Sequence, residues 1–239
     1  MTKLSRSKID LFTDCSRCFW LEVKHGIRRP SFPPYTINNA IDYLLKQEFD
    51  IYRERRTVHP IMKKGGVDAV PFEHPDLSKW RHNFTGIRHE HEPSGFLVFG
   101  AVDDVWVAPD GTLFIVDYKA TGAREHNIYD SYKRQMEIYQ WLFRQNNFTV
   151  SPVGYFVFAR VNKGEGFAPG AADALPDGET GILPFHLFLE SYSGDDSWIP
   201  DTLARAAELL KEEKAPTPSE KCEHCAYRKS AAIVSTKKE

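Results

Sequence analysis

The pattern of hydrophobic and polar residues along the chain predicts an α/β domain that begins and ends with helices. Apolar positions recur at helical spacing in residues 5–24, 36–56, 127–146 and 195–214. Strand-like apolar runs occupy residues 85–92, 96–108, 112–120, 154–161 and 182–192. Residues 162–181 are polar and rich in glycine and proline, which is typical of an exposed loop. Because no internal repeat is present, one domain over residues 1–239 is expected.

Residues 100–122, GAVDDVWVAPDGTLFIVDYKATG, predict a buried hairpin whose register depends on its turn. Proline presets the first turn position of residues 109–111 and glycine suits a left-handed third position, which favours a three-residue loop. Such a loop would pair Ala108 with Thr112. A two-residue loop would instead move the acidic residues of the two strands to opposite faces.

Two aspartates face each other in the register of the three-residue loop. Asp103 falls opposite Asp117, and Lys119 lies two residues further on the same face. Opposed like charges destabilise a sheet, and buried charge without a partner costs more. Mg²⁺ or Mn²⁺ bound by these carboxylates would offset the repulsion, with Lys119 holding a phosphate or orienting water. The alternative is an ion pair between Lys119 and one aspartate, with the other exposed at a strand end.

All four cysteines of the chain lie in two pairs, one near each end of the sequence. Each pair has CxxC spacing: Cys15 with Cys18, and Cys222 with Cys225. In a reducing compartment, such pairs are more often metal ligands than disulfides. Four thiolates suit tetrahedral zinc or an iron–sulfur cluster, and a shared metal would join residues 1–35 to residues 215–239.

Composition and charge limit the classes of function. The formal net charge of −2 excludes a wholly basic nucleic-acid coat, so any site for a polyanion must be a local patch. No apolar run approaches the roughly 18 residues of a membrane span. The first residues lack the apolar core of a signal peptide. A cytoplasmic protein without a membrane partner is therefore expected.

Three motifs in a fixed order resemble those of the PD-(D/E)XK nuclease superfamily. They are Gly100-x-x-Asp103, Asp117-x-Lys119 and Gln135-x-x-x-Tyr139. More narrowly, the chain resembles the RecB-type branch that includes the iron–sulfur CRISPR-associated exonucleases. The segments SKIDLFTDCSRCFWLE and CEHCAYR are similar to the opening helix and the cluster-binding tail of that branch.

The resemblance implies a restriction-endonuclease-like mixed sheet with flanking helices and a catalytic core over residues 85–160. It implies that Asp103 and Asp117 bind Mg²⁺ or Mn²⁺ and that Lys119 polarises the attacking water. Gln135 and Tyr139 would orient the lysine or contact the nucleic-acid backbone. The implied activity is hydrolysis of phosphodiester bonds at single-stranded DNA ends, in DNA repair or in CRISPR adaptation with partner proteins.

The sequence departs from the family pattern in two places. Many RecB-type nucleases carry a metal-binding histidine on an early helix, and Asp42 occupies the comparable position here. Asp42 is expected either to replace that ligand or to be an ordinary exposed helix aspartate. The iron–sulfur members usually have one cysteine at the front and three at the back, whereas this chain has two and two. The resemblance implies a [4Fe–4S] cluster, and Zn²⁺ is the alternative.

Two other classes of function stay open at this point. A non-catalytic DNA-binding or scaffold protein on a decayed nuclease fold would fit the missing histidine. A zinc protein without a nucleic-acid partner would fit the cysteine pairs alone.

Overall fold

The computed structural model describes residues 1–31, 33, 35–123, 125, 127–163 and 183–236, so the predicted loop falls almost wholly outside the described residues. The helices are α1 (Arg6–Asp14), α2 (Ser16–His25), α3 (Thr36–Arg55), α4 (Pro60–Lys64), α5 (Leu77–Trp80), α6 (Asp130–Gln145), α7 (Trp198–Lys211) and α8 (Glu223–Thr236). The strands are β1 (Thr2–Ser5), β2 (Val70–Pro71), β3 (Ile87–His91), β4 (Phe96–Gly100), β5 (Asp104–Val107), β6 (Leu113–Thr121), β7 (Val153–Val161) and β8 (Phe185–Ser193).

The strands form two mixed sheets. The smaller sheet has the order β1-β4-β3, with β1 parallel and β3 antiparallel to β4. The larger sheet has the order β2-β5-β6-β7-β8, in which β6 and β7 are parallel and connected through α6. The other neighbours in the larger sheet are antiparallel. The predicted mixed α/β core with flanking helices is confirmed.

Alternation along β6 decides which of its side chains reach the candidate site. Ile115 belongs to the hydrophobic core that contains α6, whereas Val116 and Tyr118 belong to the core beneath α3. Since side chains on a strand alternate between faces, Asp117 and Lys119 lie on the same face as Ile115. Asp117 and Lys119 therefore lie on the face of β6 that packs into the apolar core earlier in the strand, at Ile115.

Amphipathic helices cover the two faces of the larger sheet. α3 buries Ile41, Leu45 and Phe49 at a spacing of four residues, and this spacing aligns them along one side of the helix. α6 buries an almost continuous stretch in its second half because it is packed between the sheet and α1. Among the described residues, no helix combines the length and hydropathy required to cross a membrane.

The predicted strand over residues 96–108 is wrong in one respect: it is two strands in different sheets. β4 ends at Gly100 in the smaller sheet, and β5 begins at Asp104 in the larger sheet. The connection keeps an apolar appearance because Val102 is fully buried between them. Hydrophobicity records burial and not the sheet that a strand joins, so the change of sheet leaves no signal in the pattern.

The predicted helix over residues 5–24 is also divided. Cys15 has extended backbone angles (φ −160°, ψ 103°), and it ends α1 and precedes α2. The residues before α1 form β1, a strand that the sequence did not predict. One extended residue scarcely changes the helical spacing of the apolar positions on either side, so the spacing does not reveal the break between the two helices.

Gly100 allows α6 to lie close to the end of β4. A Cβ atom at this position would lie 2.6 Å from Cε1 of the buried Tyr139 ring. Gly100→Ala is therefore expected to destabilise the fold by about 1–3 kcal/mol through overpacking, as measured by urea unfolding. Gly122→Ala is the matched control, because its Cβ would meet nothing closer than 3.5 Å. Equal stability of the two variants would contradict the close approach.

Candidate active site and four-cysteine site

The turn of the β5–β6 hairpin has the predicted three-residue form. The backbone N–H of Gly111 donates to the Ala108 carbonyl at 3.0 Å, and the Ala108 N–H donates to the Thr112 carbonyl at 2.9 Å. Gly111 has φ +86°, in the left-handed region where a side chain would be strained. The pairing of Ala108 with Thr112 is confirmed, and it sets the register of the strands beyond.

The register brings two aspartates to the same end of the hairpin. The last ladder pair joins Asp104 to Val116, so the next step along both strands sets Asp103 opposite Asp117. Asp103 itself leaves the ladder, and its Oδ2 accepts a hydrogen bond from the Tyr118 N–H at 3.0 Å. The side chain of Asp103 is thereby fixed at the mouth of the site.

Asp117 is fully buried between β6 and α6. Its Oδ1 accepts a hydrogen bond from Gln135 Nε2 at 2.6 Å, and its Oδ2 forms an ion pair with the Lys119 ammonium. Burial raises the pKa of Asp117, Lys119 lowers it and the charge of Asp103 raises it again, which brings the pKa to about 7. A further cation beside this carboxylate would favour its ionised form.

Lys119 keeps its positive charge in this setting. Burial lowers the pKa of Lys119, but the carboxylates of Asp117 and Asp103 outweigh burial, so the net shift is upward. The ammonium also donates to Gln135 Oε1 at 3.3 Å and lies 4.6 Å from the centroid of the Tyr132 ring. Lys119 can therefore donate hydrogen bonds and supply positive charge beside Asp117.

Gln135 and Tyr139 lie one turn apart on α6 and contact each other. Gln135 Nε2 is 3.3 Å from the Tyr139 hydroxyl, so the amide of Gln135 bridges Asp117, Lys119 and Tyr139. Tyr139 is only 3% exposed, which keeps it behind the site. The geometry supports a positioning role for both residues.

Arg6 belongs to the same cluster, although no motif in the sequence predicts it. Burial lowers the pKa of Arg6, but the interactions with Tyr139, Asp10 and Asp117 outweigh burial and make the net shift upward. The guanidinium therefore stays charged beside the Tyr139 ring. Arg6 begins α1, far along the chain from the hairpin. No local motif links it to the acidic residues that it approaches.

A polar cavity of about 460 Å³ opens above the acidic residues. Asp103 and Lys119 line it from the sheet, and Asp42 and Lys46 line it from α3. Lys46 Nζ donates to Asp42 Oδ2 at 2.7 Å and lies 3.2 Å from Asp103 Oδ1. Asp42 is thus brought beside Asp103 through a shared lysine.

Asp104 forms a second charged cluster next to the site. Arg53 donates to its Oδ1, Arg81 Nη2 donates to the same oxygen at 3.1 Å, and the Tyr118 hydroxyl donates to Oδ2 at 2.6 Å. Arg81 Nε also donates to the Asp103 carbonyl at 2.9 Å. Asp104 is completely buried and therefore holds the hairpin to α3 without facing the cavity.

The residues around the cavity fit a hard divalent cation. Asp42 and Asp103 offer carboxylate oxygens at the cavity wall, and Oδ2 of Asp117 is buried with the Lys119 ammonium as its ion-pair partner. Oxygen donors are the ligands that Mg²⁺ and Mn²⁺ prefer. Such oxygen donors therefore reach the cavity wall from two separate parts of the chain, α3 and the segment before β5.

The four cysteines converge, although their two pairs are about 200 residues apart in sequence. The Sγ of Cys18 lies 3.6 Å from those of Cys222 and Cys225, and Cys15 Sγ lies 3.9 Å from Cys225 Sγ. All four sulfur atoms lie within 4.8 Å of one another, well beyond the roughly 2.05 Å of a disulfide. The four sulfur atoms are thus close enough to share one metal ion, which would join the N-terminal helices to the C-terminal segment.

The electrostatic surroundings of the sulfur atoms differ among the cysteines. Arg29 Nη2 lies 3.4 Å from Cys222 Sγ and partly compensates thiolate charge. Burial raises the pKa of Cys15, but hydrogen bonds from the backbone of Cys18 and Ser219 outweigh it, so the net pKa is about 7. Burial raises the pKa of Cys18 and Cys225, so metal binding there must release protons.

Comparison with known proteins identifies the family. A family model described as the PD-(D/E)XK nuclease superfamily matches residues 44–230, most of the chain. No curated protein matches the sequence significantly. Among solved structures, the crystal structure of SSO0001 is similar, with 13% sequence identity, a TM-score of 0.41, and coverage of 90% of this chain and 79% of that chain.

Asp104→Asn is expected to destabilise the fold by about 1.5–3 kcal/mol, because it removes the buried carboxylate that Arg53 and Arg81 share and leaves Arg53 with Asp50 Oδ1 at 3.5 Å. The change preserves side-chain volume, so urea unfolding reports mainly the loss of charge. Asp68→Asn at an exposed position is the control and should unfold like the unmodified protein. A loss below about 1 kcal/mol for Asp104→Asn would contradict a structural role for the cluster.

Proposed function

Because the chain belongs to the PD-(D/E)XK nuclease superfamily, we propose that it is a Mg²⁺- or Mn²⁺-dependent nuclease that hydrolyses phosphodiester bonds of DNA. The observation that carries the proposal is the joint position of Asp103, Asp117, Lys119 and Gln135 at the end of one hairpin. Membership of the family alone would not require these groups to meet.

In the proposed mechanism, Asp103 and Asp117 hold the divalent ion, and Asp42 is a further ligand from α3. When bound, such an ion would supply a water ligand of lowered pKa and positive charge to offset that on the phosphate. Lys119, held by Asp117 and Gln135, would position the attacking water or donate to a phosphate oxygen. Gln135 holds Lys119 and Asp117 in a fixed relation, and Tyr139 with Arg6 supports Gln135 from behind.

The volume of the cavity is compatible with entry of a single strand of DNA. A volume of about 460 Å³ is within the range of small-molecule sites and is suited to one nucleotide. The resemblance to RecB-type exonucleases supports the same substrate and a role in DNA repair or CRISPR adaptation beside partner proteins.

For the four-cysteine site, the spacing of the sulfur atoms favours the zinc alternative. Four thiolates around one zinc ion at about 2.3 Å would lie about 3.8 Å apart; three of the six Sγ–Sγ distances are 3.6–3.9 Å, and all six are within 4.8 Å. In a [4Fe–4S] cluster, each cysteine binds a different iron at a corner of the cube, which requires wider spacing. We therefore propose Zn²⁺ in place of the [4Fe–4S] cluster that the resemblance implies.

Metal analysis of anaerobically purified protein is expected to give about one zinc per chain and little iron. Cys18→Ala should lose this metal and lower the melting temperature by roughly 4–8 °C, since the site joins both ends of the fold. Lys221→Ala, an exposed neighbour of the second pair, is the control and should retain metal. Four irons per chain with broad visible absorption would instead identify the cluster.

The nuclease proposal is tested with end-labelled single-stranded DNA and Mn²⁺. Asp117→Asn and Lys119→Met are each expected to reduce cleavage by about 100-fold or more, and EDTA should abolish cleavage. Asp110→Asn, at the exposed turn of the same hairpin, should cleave normally. DNA binding without cleavage by the unmodified, metal-loaded protein would favour a scaffold on this fold, and absence of DNA binding would favour a zinc protein without a nucleic-acid partner.

A further inference from the structure

The side chain of Lys46 occupies the space between two of the carboxylates that line the cavity. Its ammonium donates to Asp42 Oδ2 at 2.7 Å and lies 3.2 Å from Asp103 Oδ1. We propose that Lys46 is an internal competitor for the divalent ion, which displaces its ammonium from Asp42 and Asp103. This inference rests on the proposed function, because it concerns the ion at the same site.

The backbone makes this competition possible. Asp42 and Lys46 are four residues apart on α3, so their side chains leave the same side of the helix. Asp103 approaches from the connection between the two sheets, and its main chain is held by Arg81. The two carboxylates are therefore brought together by separate elements, and the lysine is the flexible member of the group.

The other two cations of the cavity wall are held by further partners. Arg81 is fixed through both oxygens of Asp50 and through Asp104, and Lys119 is fixed by Asp117 and Gln135. The contacts of Lys46 among the described residues are instead the two carboxylates themselves. It is also one-fifth exposed, so it can withdraw from them into the cavity.

Charge balance then determines the direction of the effect. A divalent ion and an ammonium compete for the same oxygens, and each repels the other at this distance. Removal of the lysine charge should strengthen metal binding. After displacement, Lys46 would remain in the cavity beside Lys119, where its charge suits a phosphate of the substrate.

The test measures Mn²⁺ affinity directly, by electron paramagnetic resonance of free Mn²⁺ during titration of protein that retains its cysteine-bound metal. Lys46→Met is expected to bind Mn²⁺ about tenfold more tightly or better than the unmodified protein. Lys63→Met, an exposed lysine on α4, is the matched control and should not change the affinity. Lys46→Gln, which keeps a polar end without the charge, should behave like Lys46→Met and covers the case in which methionine disturbs folding.

Unchanged or weaker Mn²⁺ binding in both Lys46 variants, with normal binding in the control, would overturn the proposal. At saturating Mn²⁺, Lys46→Met should also raise the KM for single-stranded DNA several-fold, and an unchanged KM would overturn the phosphate contact. The two proposals fail separately: tighter Mn²⁺ binding without cleavage by any variant would keep the competitor and reject the nuclease. Cleavage by the unmodified protein with unaltered Mn²⁺ affinity in the Lys46 variants would keep the nuclease proposal and reject the competition by Lys46.

Discussion

Compensation of buried negative charge is the interaction on which the site depends. Three aspartates lie at the end of the β5–β6 ladder opposite the turn: Asp103, Asp104 and Asp117. Asp104 and Asp117 are completely buried. Carboxylates in such a place are unfavourable unless cations and hydrogen bonds accompany them. The cations come from α3, from the segment after α5 and from β6 itself, so charge compensation also fixes these elements against one another.

Adjacent aspartates in the sequence consequently have different surroundings. Asp104 is buried against two arginines and a tyrosine hydroxyl, which together satisfy both of its oxygens. Asp103 meets a lysine that is partly exposed and a cavity. The fully paired Asp104 therefore fixes the backbone next to Asp103. The side chain of Asp103 can then exchange its partners without movement of the main chain.

Turn chemistry and motif order predicted the centre of the site. Proline and glycine in the loop determined the register, and the register brought Asp103 opposite Asp117. The order of the motifs anticipated that Gln135 and Tyr139 would reach the same place from α6, and the cysteine pairs indicated that the ends of the chain converge. Their catalytic and metal-binding roles stay predictions.

The remaining parts could not be predicted because their signals are not local. Arg53 and Arg81 lie 51 and 23 residues before Asp104 in separate parts of the chain, where they look like ordinary helix or loop arginines. The change of sheet after Gly100 is hidden because its linker is buried. The break at Cys15 is a single residue within a periodic pattern, and only the position of the other three sulfur atoms distinguishes it.

Convergence of the cysteine pairs has a consequence for the order in which the molecule assembles. Cys18 and Cys222 are 204 residues apart, and closure of so long a loop in an unfolded chain carries a large entropic penalty. Local hairpins and the α6 crossover face a much smaller penalty and are expected to form earlier. The contacts among the four cysteines are therefore expected to form late in folding, after the rest of the fold. The stabilisation that comes from joining the two ends of the chain is then added at the last step.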